Sequence, residues 1–253
     1  MPLELVTIPC LKDNYAYLLH DAASGRTTLI DAPEAAPILN ALAARGWRLH
    51  QILLTHHHAD HIQGVPELIA ATEATVLGAK TDAHRLPPLT RGLAEGDTVQ
   101  IGPETAQVID VSGHTIGHIA FLVPGMAFTA DSLMAGGCGR LFEGTPAVMW
   151  QSLSKLAALP PETLICSGHE YTAANLRFAA TIEPDNAALN ARITRTAEAR
   201  AAGIATVPSL LSVELASNPF LRACLPHIKV LVGKPNATDA EVFAEIRARK
   251  DHF

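Results

Sequence analysis

Much of what commonly decides a protein's chemistry is scarce here. The four cysteines (Cys10, Cys138, Cys166, Cys224) lie far apart and form no CxxC pair. None has an obvious metal spacing, and the pattern argues against a disulfide frame, so they read as reduced thiols of a cytoplasmic protein. No GxSxG is present, so there is no serine elbow of the α/β-hydrolase kind. No apolar run approaches the ~20 residues of a membrane span. Met1-Pro2-Leu3-Glu4-Leu5 lacks the basic and apolar regions of a secretory leader. Basic charge is in deficit, 19 Lys and Arg against 25 Asp and Glu, a net −6. A general nucleic-acid binder is thereby disfavoured. What remains is ample apolar content, 48% of 253 residues, enough for one large domain or two modest ones. The expectation is a monomer with neither membrane nor nucleic acid as a partner.

Histidine is the exception to this scarcity. Thr55-His56-His57-His58-Ala59-Asp60-His61 places four imidazoles and a carboxylate within six residues. Packing a core does not ask for this, because His and Asp are costly to bury without partners. Gln51-Ile52-Leu53-Leu54 before it reads as a buried strand, and Gly64 to Ala70 after it as a helix start. The cluster is thus expected on a loop at a strand's C-terminal end. Alternation puts His56 and His58 on one side of an extended backbone, with Asp60 and His61 directed elsewhere. Neutral imidazole and carboxylate suit zinc, iron or manganese.

Short strands are expected at Leu3–Ile8, Asn14–His20, Thr27–Asp31, Ala74–Leu77, Asp97–Ile101, Ala106–Val111, Ile119–Val123, Met126–Thr129 and Thr163–Cys166. The second and third form a hairpin around Ser24-Gly25. Helices are expected from Pro33 to Arg45, stopped by Gly46, and from Thr145-Pro146 to about Leu159. Residues 81–92 read as a loop, with Pro87-Pro88 forbidding regular structure. Beyond Thr172 the signals turn helical: Ala173–Ile182, Asn186–Ala202, and a last helix opened by the capping box Thr238-Asp239-Ala240-Glu241. Residues 206–235, rich in proline, read as irregular. The chain divides near residue 170 into an α/β part (1–170) and a helical appendage (171–253).

His114, Asp131 and His169 each fall just beyond an expected strand, as the cluster does. Residues at the same end of neighbouring strands converge. His56, His58 and His114 then suffice for one metal, and Asp60, His61 and His169 for a second. The two oxygens of Asp131 can bridge them. His57 and His118 are left to support or packing. His20, His50, His84, His227 and His252 read as ordinary.

The HxHxDH run with His114, Asp131 and His169 in this order resembles the metallo-β-lactamase superfamily. Three further stretches narrow the match: Gly137-Cys138-Gly139-Arg140-Leu141-Phe142-Glu143-Gly144-Thr145, Gly168-His169-Glu170-Tyr171-Thr172 and Asn218-Pro219-Phe220-Leu221-Arg222. With the tail Arg247 to Phe253 they are similar to glyoxalase II, the hydroxyacylglutathione hydrolase family. The resemblance implies an αββα sandwich followed by a small all-helical domain. It implies two divalent ions, zinc foremost, and a hydroxide between them that Asp60 orients. It implies a thioesterase converting S-D-lactoylglutathione to glutathione and D-lactate, the second step of methylglyoxal detoxification. Arg140, Phe142, Tyr171, Arg247 and Lys250 then contact the glutathione part. Arg140 stands where the familiar motif has Lys, and Phe142 where it has Tyr. The missing hydroxyl removes a hydrogen bond of about 0.5–1.5 kcal/mol. The rivals are a glutathione persulfide dioxygenase with one iron, a lactonase or β-lactamase, and a non-catalytic binding protein. The persulfide dioxygenase requires fewer ligands than this chain has. The glutathione-type tail disfavours the lactonase and β-lactamase.

Overall fold

The computed structural model describes residues 3–253; Met1 and Pro2, which open the stretch read for a leader, lie outside them. Two compact units are present. The first runs to Asp110 and includes Gly117–Pro124; the second comprises Val111–Ile116 and Gly125–Phe253.

In the first unit the elements are β1 (Glu4–Cys10), β2 (Asn14–Asp21), β3 (Arg26–Ile30), α1 (Ala35–Arg45), β4 (Arg48–Leu53), α2 (Ala59–Ile62) and α3 (Val65–Thr72). Then come β5 (Thr75–Ala79), β6 (Arg91–Leu93), β7 (Thr98–Ile101), β8 (Glu104–Asp110) and β9 (Ile119–Val123). Strands β1 to β6 form a sheet in sequence order. The β1–β2 and β2–β3 pairs are antiparallel, and β3–β4, β4–β5 and β5–β6 are parallel. β2 is buried along its whole length, which fits its near-continuous apolar run inside a covered sheet. Ile38 and Leu42 of α1 and Val65 and Leu68 of α3 join Leu18, Leu29 and Ile52 in one core. Each such side chain contributes about 1.5–3 kcal/mol on burial. Strands β7, β8 and β9 form a separate antiparallel run.

α1 ends as expected at Gly46, whose φ of +65° is left-handed. It begins at Ala35 and not at Pro33. Glu34 keeps an extended backbone there, and its carboxylate accepts the Leu11 N–H at 2.9 Å. Residues 81–92 are not all loop, because Arg91–Leu93 adds the parallel edge strand β6.

The second unit holds β10 (Met126–Ala130), β11 (Leu133–Met134), β12 (Gly137–Cys138), α4 (Pro146–Ala157), β13 (Leu164–Ser167), α5 (Thr172–Ile182) and α6 (Ala187–Ala201). It continues with β14 (Ser209–Leu210), α7 (Leu211–Ser217), α8 (Pro226–Leu231) and α9 (Asp239–Asp251). β10 and β13 run parallel, and β14 joins β13 antiparallel. Thr145 caps α4 through the Val148 N–H, and Thr238 with Glu241 forms the expected capping box. The segment read as irregular carries β14, α7 and α8. Its prolines stand at element ends: Pro226 sits in the first turn of α8, where a missing N–H costs nothing. The scarce aromatics concentrate here. Phe220 lies 6.0 Å from Phe178 and 5.8 Å from Phe243, tying α5 and α9 together.

Candidate metal centre

Past the end of β4 the chain stays extended to His58 and then turns into α2. The histidine cluster is therefore half extended and half helical, where a single loop was expected. The extended half behaves as alternation demands. His56 Nε2 lies 3.2 Å from His58 Nδ1, while His57 turns to the buried carboxylate of Asp82, Nδ1 to Oδ2 3.2 Å. His118 stacks on His56 at 4.6 Å and 11°, so the leftover histidines take supporting places.

One carboxylate that the sequence reading passed over organises this group. Asp31 directly follows β3, is buried, and has a φ of +56°. Its Oδ1 accepts the Thr55 N–H at 2.8 Å; its Oδ2 accepts the Thr55 hydroxyl at 2.8 Å and His61 Nδ1 at 2.9 Å. Because the Thr55 hydroxyl proton goes to Asp31, its oxygen accepts from His56 Nδ1 at 3.0 Å. Both rings thus carry their proton on Nδ1 and direct an Nε2 lone pair elsewhere. Asp31, His56 and His61 offer ligand atoms within 4.8 Å of one another. Asp60 is oriented in turn by Asn14, which donates to its carboxylate and to its backbone carbonyl, each at 3.0 Å. The Asp60 carboxylate lies 3.7 Å from His61 Nε2.

The second unit gathers the other three residues. Asp131 Oδ2 lies 3.5 Å from His114 Nε2 and 3.3 Å from His169 Nε2. All three are 5% exposed or less. His114 Nδ1 donates to the Arg140 carbonyl at 2.8 Å, so its Nε2 is also an acceptor facing an acceptor. The backbone around this group admits only glycine at two points. A Cβ on Gly139 would stand 2.0 Å from the Asp131 carbonyl oxygen and 2.8 Å from His114 Nδ1. Gly113, at φ +147°, packs against Met149 with no room for a side chain. Acceptor lone pairs and carboxylates brought together in this way repel unless a cation joins them. The donor set thus fits a divalent metal.

The residues expected to meet substrate lie in the second unit. Phe142 is 61% exposed beside the His114 ring, and Tyr171, 39% exposed, stacks on His169 at 4.6 Å. Arg140 is exposed. Lys250 is half-buried and donates to the Ala174 carbonyl at 3.3 Å. Arg247 is buried; it donates to the Cys138 carbonyl at 3.1 Å and to Asp251 at 2.8 Å.

A family model of the metallo-β-lactamase superfamily matches residues 13–169, and one of the hydroxyacylglutathione hydrolase C-terminus matches residues 170–253. The chain is 69% identical to a hydroxyacylglutathione hydrolase of Fuscovulum blasticum and 63% identical to one of Ruegeria pomeroyi, each over the full length of both proteins. This chain belongs to the hydroxyacylglutathione hydrolase family. Its α/β fold is that of the metallo-β-lactamases. The crystal structure of ETHE1 from Myxococcus xanthus superposes with a TM-score of 0.68 at 25% identity, covering 99% of this chain and 98% of that one. The BLEG-1 B3 metallo-β-lactamase gives 0.67 at 20% identity, over 86% and 99% of the two chains, a likeness of fold alone. The metallo-β-lactamase family match together with the His and Asp clusters supports divalent-metal binding. Among the described residues no helix is long and apolar enough to cross a membrane.

Asp31 and Asp82 are the residues that sequence reasoning missed. Asp31 had a weaker signal than the ligands, since it stood at the last position of an expected strand, which in fact ends one residue earlier. Asp82 had none, because it lies within a segment read as loop.

Proposed function

We propose that the two groups join in one binuclear centre that hydrolyses S-D-lactoylglutathione to glutathione and D-lactate, the second step of methylglyoxal detoxification. His56, His58 and His114 hold one ion, Asp60, His61 and His169 the other, and Asp131 bridges them. Two divalent ions per chain, zinc foremost, suit this donor set. Residues 1–170 form the catalytic domain and 171–253 the glutathione-binding domain of a cytoplasmic monomer. The observation that carries the reading is the fixed orientation of the rings: Asp31 and the Arg140 carbonyl hold the Nδ1 side of His61 and His114, leaving Nε2 to bind.

When bound, the ions lower the pKa of a water and polarise the thioester carbonyl. Asp60, steadied by Asn14, orients the attacking water. Arg140, Phe142, Tyr171, Arg247 and Lys250 receive the glutathione part, and charge on its carboxylates matches the three cations. The carbonyl gains the water's oxygen, the C–S bond breaks, and glutathione leaves as thiolate. No cysteine of the second unit's core competes as nucleophile: burial pushes the Cys138 thiol up to about 11 and Cys166 higher still.

The reading is tested by incubating metal-loaded enzyme with S-D-lactoylglutathione and measuring free thiol and D-lactate. Equal amounts of both, without oxygen uptake, support it. Oxygen consumption with a persulfide substrate and no thioester cleavage would replace it with the dioxygenase.

A further inference from the structure

The surface around α9 holds more positive charge than the proposed glutathione contacts use. Arg177 of α5 and Arg140 have exposed guanidinium groups without a hydrogen bond or ion pair among the described residues. Lys250 lies against this part of α5. Its ammonium donates to the carbonyl of Ala174, one turn before Arg177, and sits 5.1 Å over the ring of Phe178, the next residue. One turn earlier on α9, Arg247 grips the carbonyl of Cys138, two residues before Arg140. Arg247 already has its own counter-ion, Asp251, at 2.8 Å. Burial lowers the Lys250 pKa, and the charges of Arg247, Arg177 and Arg140 push the same way. Cations assembled so closely disfavour one another until an anion arrives.

We infer that Arg177 is a further recognition residue for the glutathione moiety, completing with Arg140 and Lys250 a set of cations for its two carboxylates. Arg247, only 4% exposed and already counted among the glutathione contacts, also steadies this set. It holds the Cys138 carbonyl and with it the turn that carries Arg140. This rests on the thioesterase reading above and adds one residue that its motifs do not include. Arg suits the role because its planar fork meets a carboxylate with two parallel N–H bonds. A helix arginine with no such task would be a solvated charge whose removal changes little.

The test compares Arg177→Gln, Arg177→Lys and the exposed α6 arginine variant Arg195→Gln in the full, metal-loaded chain. Steady-state kinetics are measured on S-D-lactoylglutathione and on a neutral lactoyl thioester of N-acetylcysteamine. Arg177→Gln is expected to raise KM for the glutathione thioester about three- to tenfold with kcat unchanged. Arg177→Lys recovers most of the loss, added salt narrows the difference, and neither the neutral thioester nor Arg195→Gln responds. If Arg177→Gln stays within about twofold of wild type, or slows both substrates alike, the inference is overturned while the thioesterase reading stands. A wild-type enzyme inactive on S-D-lactoylglutathione overturns both.

Discussion

The Asp31 carboxylate holds His61 by Nδ1 at 2.9 Å and, through the Thr55 hydroxyl, also sets the proton of His56. One buried residue therefore orients two of the proposed metal-ligand imidazoles. Replacing Asp31 with Ala should lower metal affinity about 10–100-fold, the usual consequence of losing such a partner. Asp31→Asn, which keeps one acceptor oxygen, should fall between. Chelator competition measures this; an unchanged affinity in Asp31→Ala would remove Asp31 from the centre.

Asp131 faces His114 and His169 with the same oxygen. A carboxylate that bridges two ions, as proposed for Asp131, serves both, so Asp131→Ala should lose correctly bound metal and reduce turnover by about a hundredfold or more. Metal analysis beside steady-state rates checks it. Full activity with two ions bound would show that Asp131 is not a bridge.

His57 stands between two proposed ligands in sequence yet turns to Asp82. His57→Ala should keep two ions per chain when metal is in excess. It should cost stability, about 1–3 kcal/mol, because a buried acceptor loses one partner, while Arg85 still pairs with Asp82. Loss of one metal equivalent would make His57 a ligand.

How much of this was legible in the sequence depends on the kind of signal. His56 and His58 followed from strand alternation, and the caps at Thr145 and Thr238 from residue type, because both are local rules. The helical start at Ala59–Ile62 was not visible, since four residues are too short to show a period. β14 is two residues long and exists only by pairing with β13, a long-range contact that no local pattern announces. The burial of Arg247 was hidden for the same reason: its partner Cys138 lies 109 residues away.

Glu183 offers a pH test in the second unit. Burial acts to raise its pKa, but hydrogen bonds from Arg222, Asn186 and His227 outweigh that and hold it below its ordinary 4.5. A carboxylate lowered on folding adds stability above its unfolded pKa, and that stability is lost as pH falls through the folded value. Wild type should thus exceed Glu183→Gln in Tm at neutral pH, and the gap should close progressively below about 4.5. A gap independent of pH would mean that the residue's contribution is packing alone.

The measurement that bears most directly on the account is a metal titration of chelator-stripped enzyme, followed by S-D-lactoylglutathione hydrolysis at each step. The account predicts negligible hydrolysis without metal and activity that climbs until two equivalents are bound, in parallel with their uptake. Hydrolysis that persists in the stripped enzyme, or uptake that ends at a single equivalent with full activity, would contradict a centre built jointly by His56, His58 and His114 with Asp60, His61, His169 and a bridging Asp131.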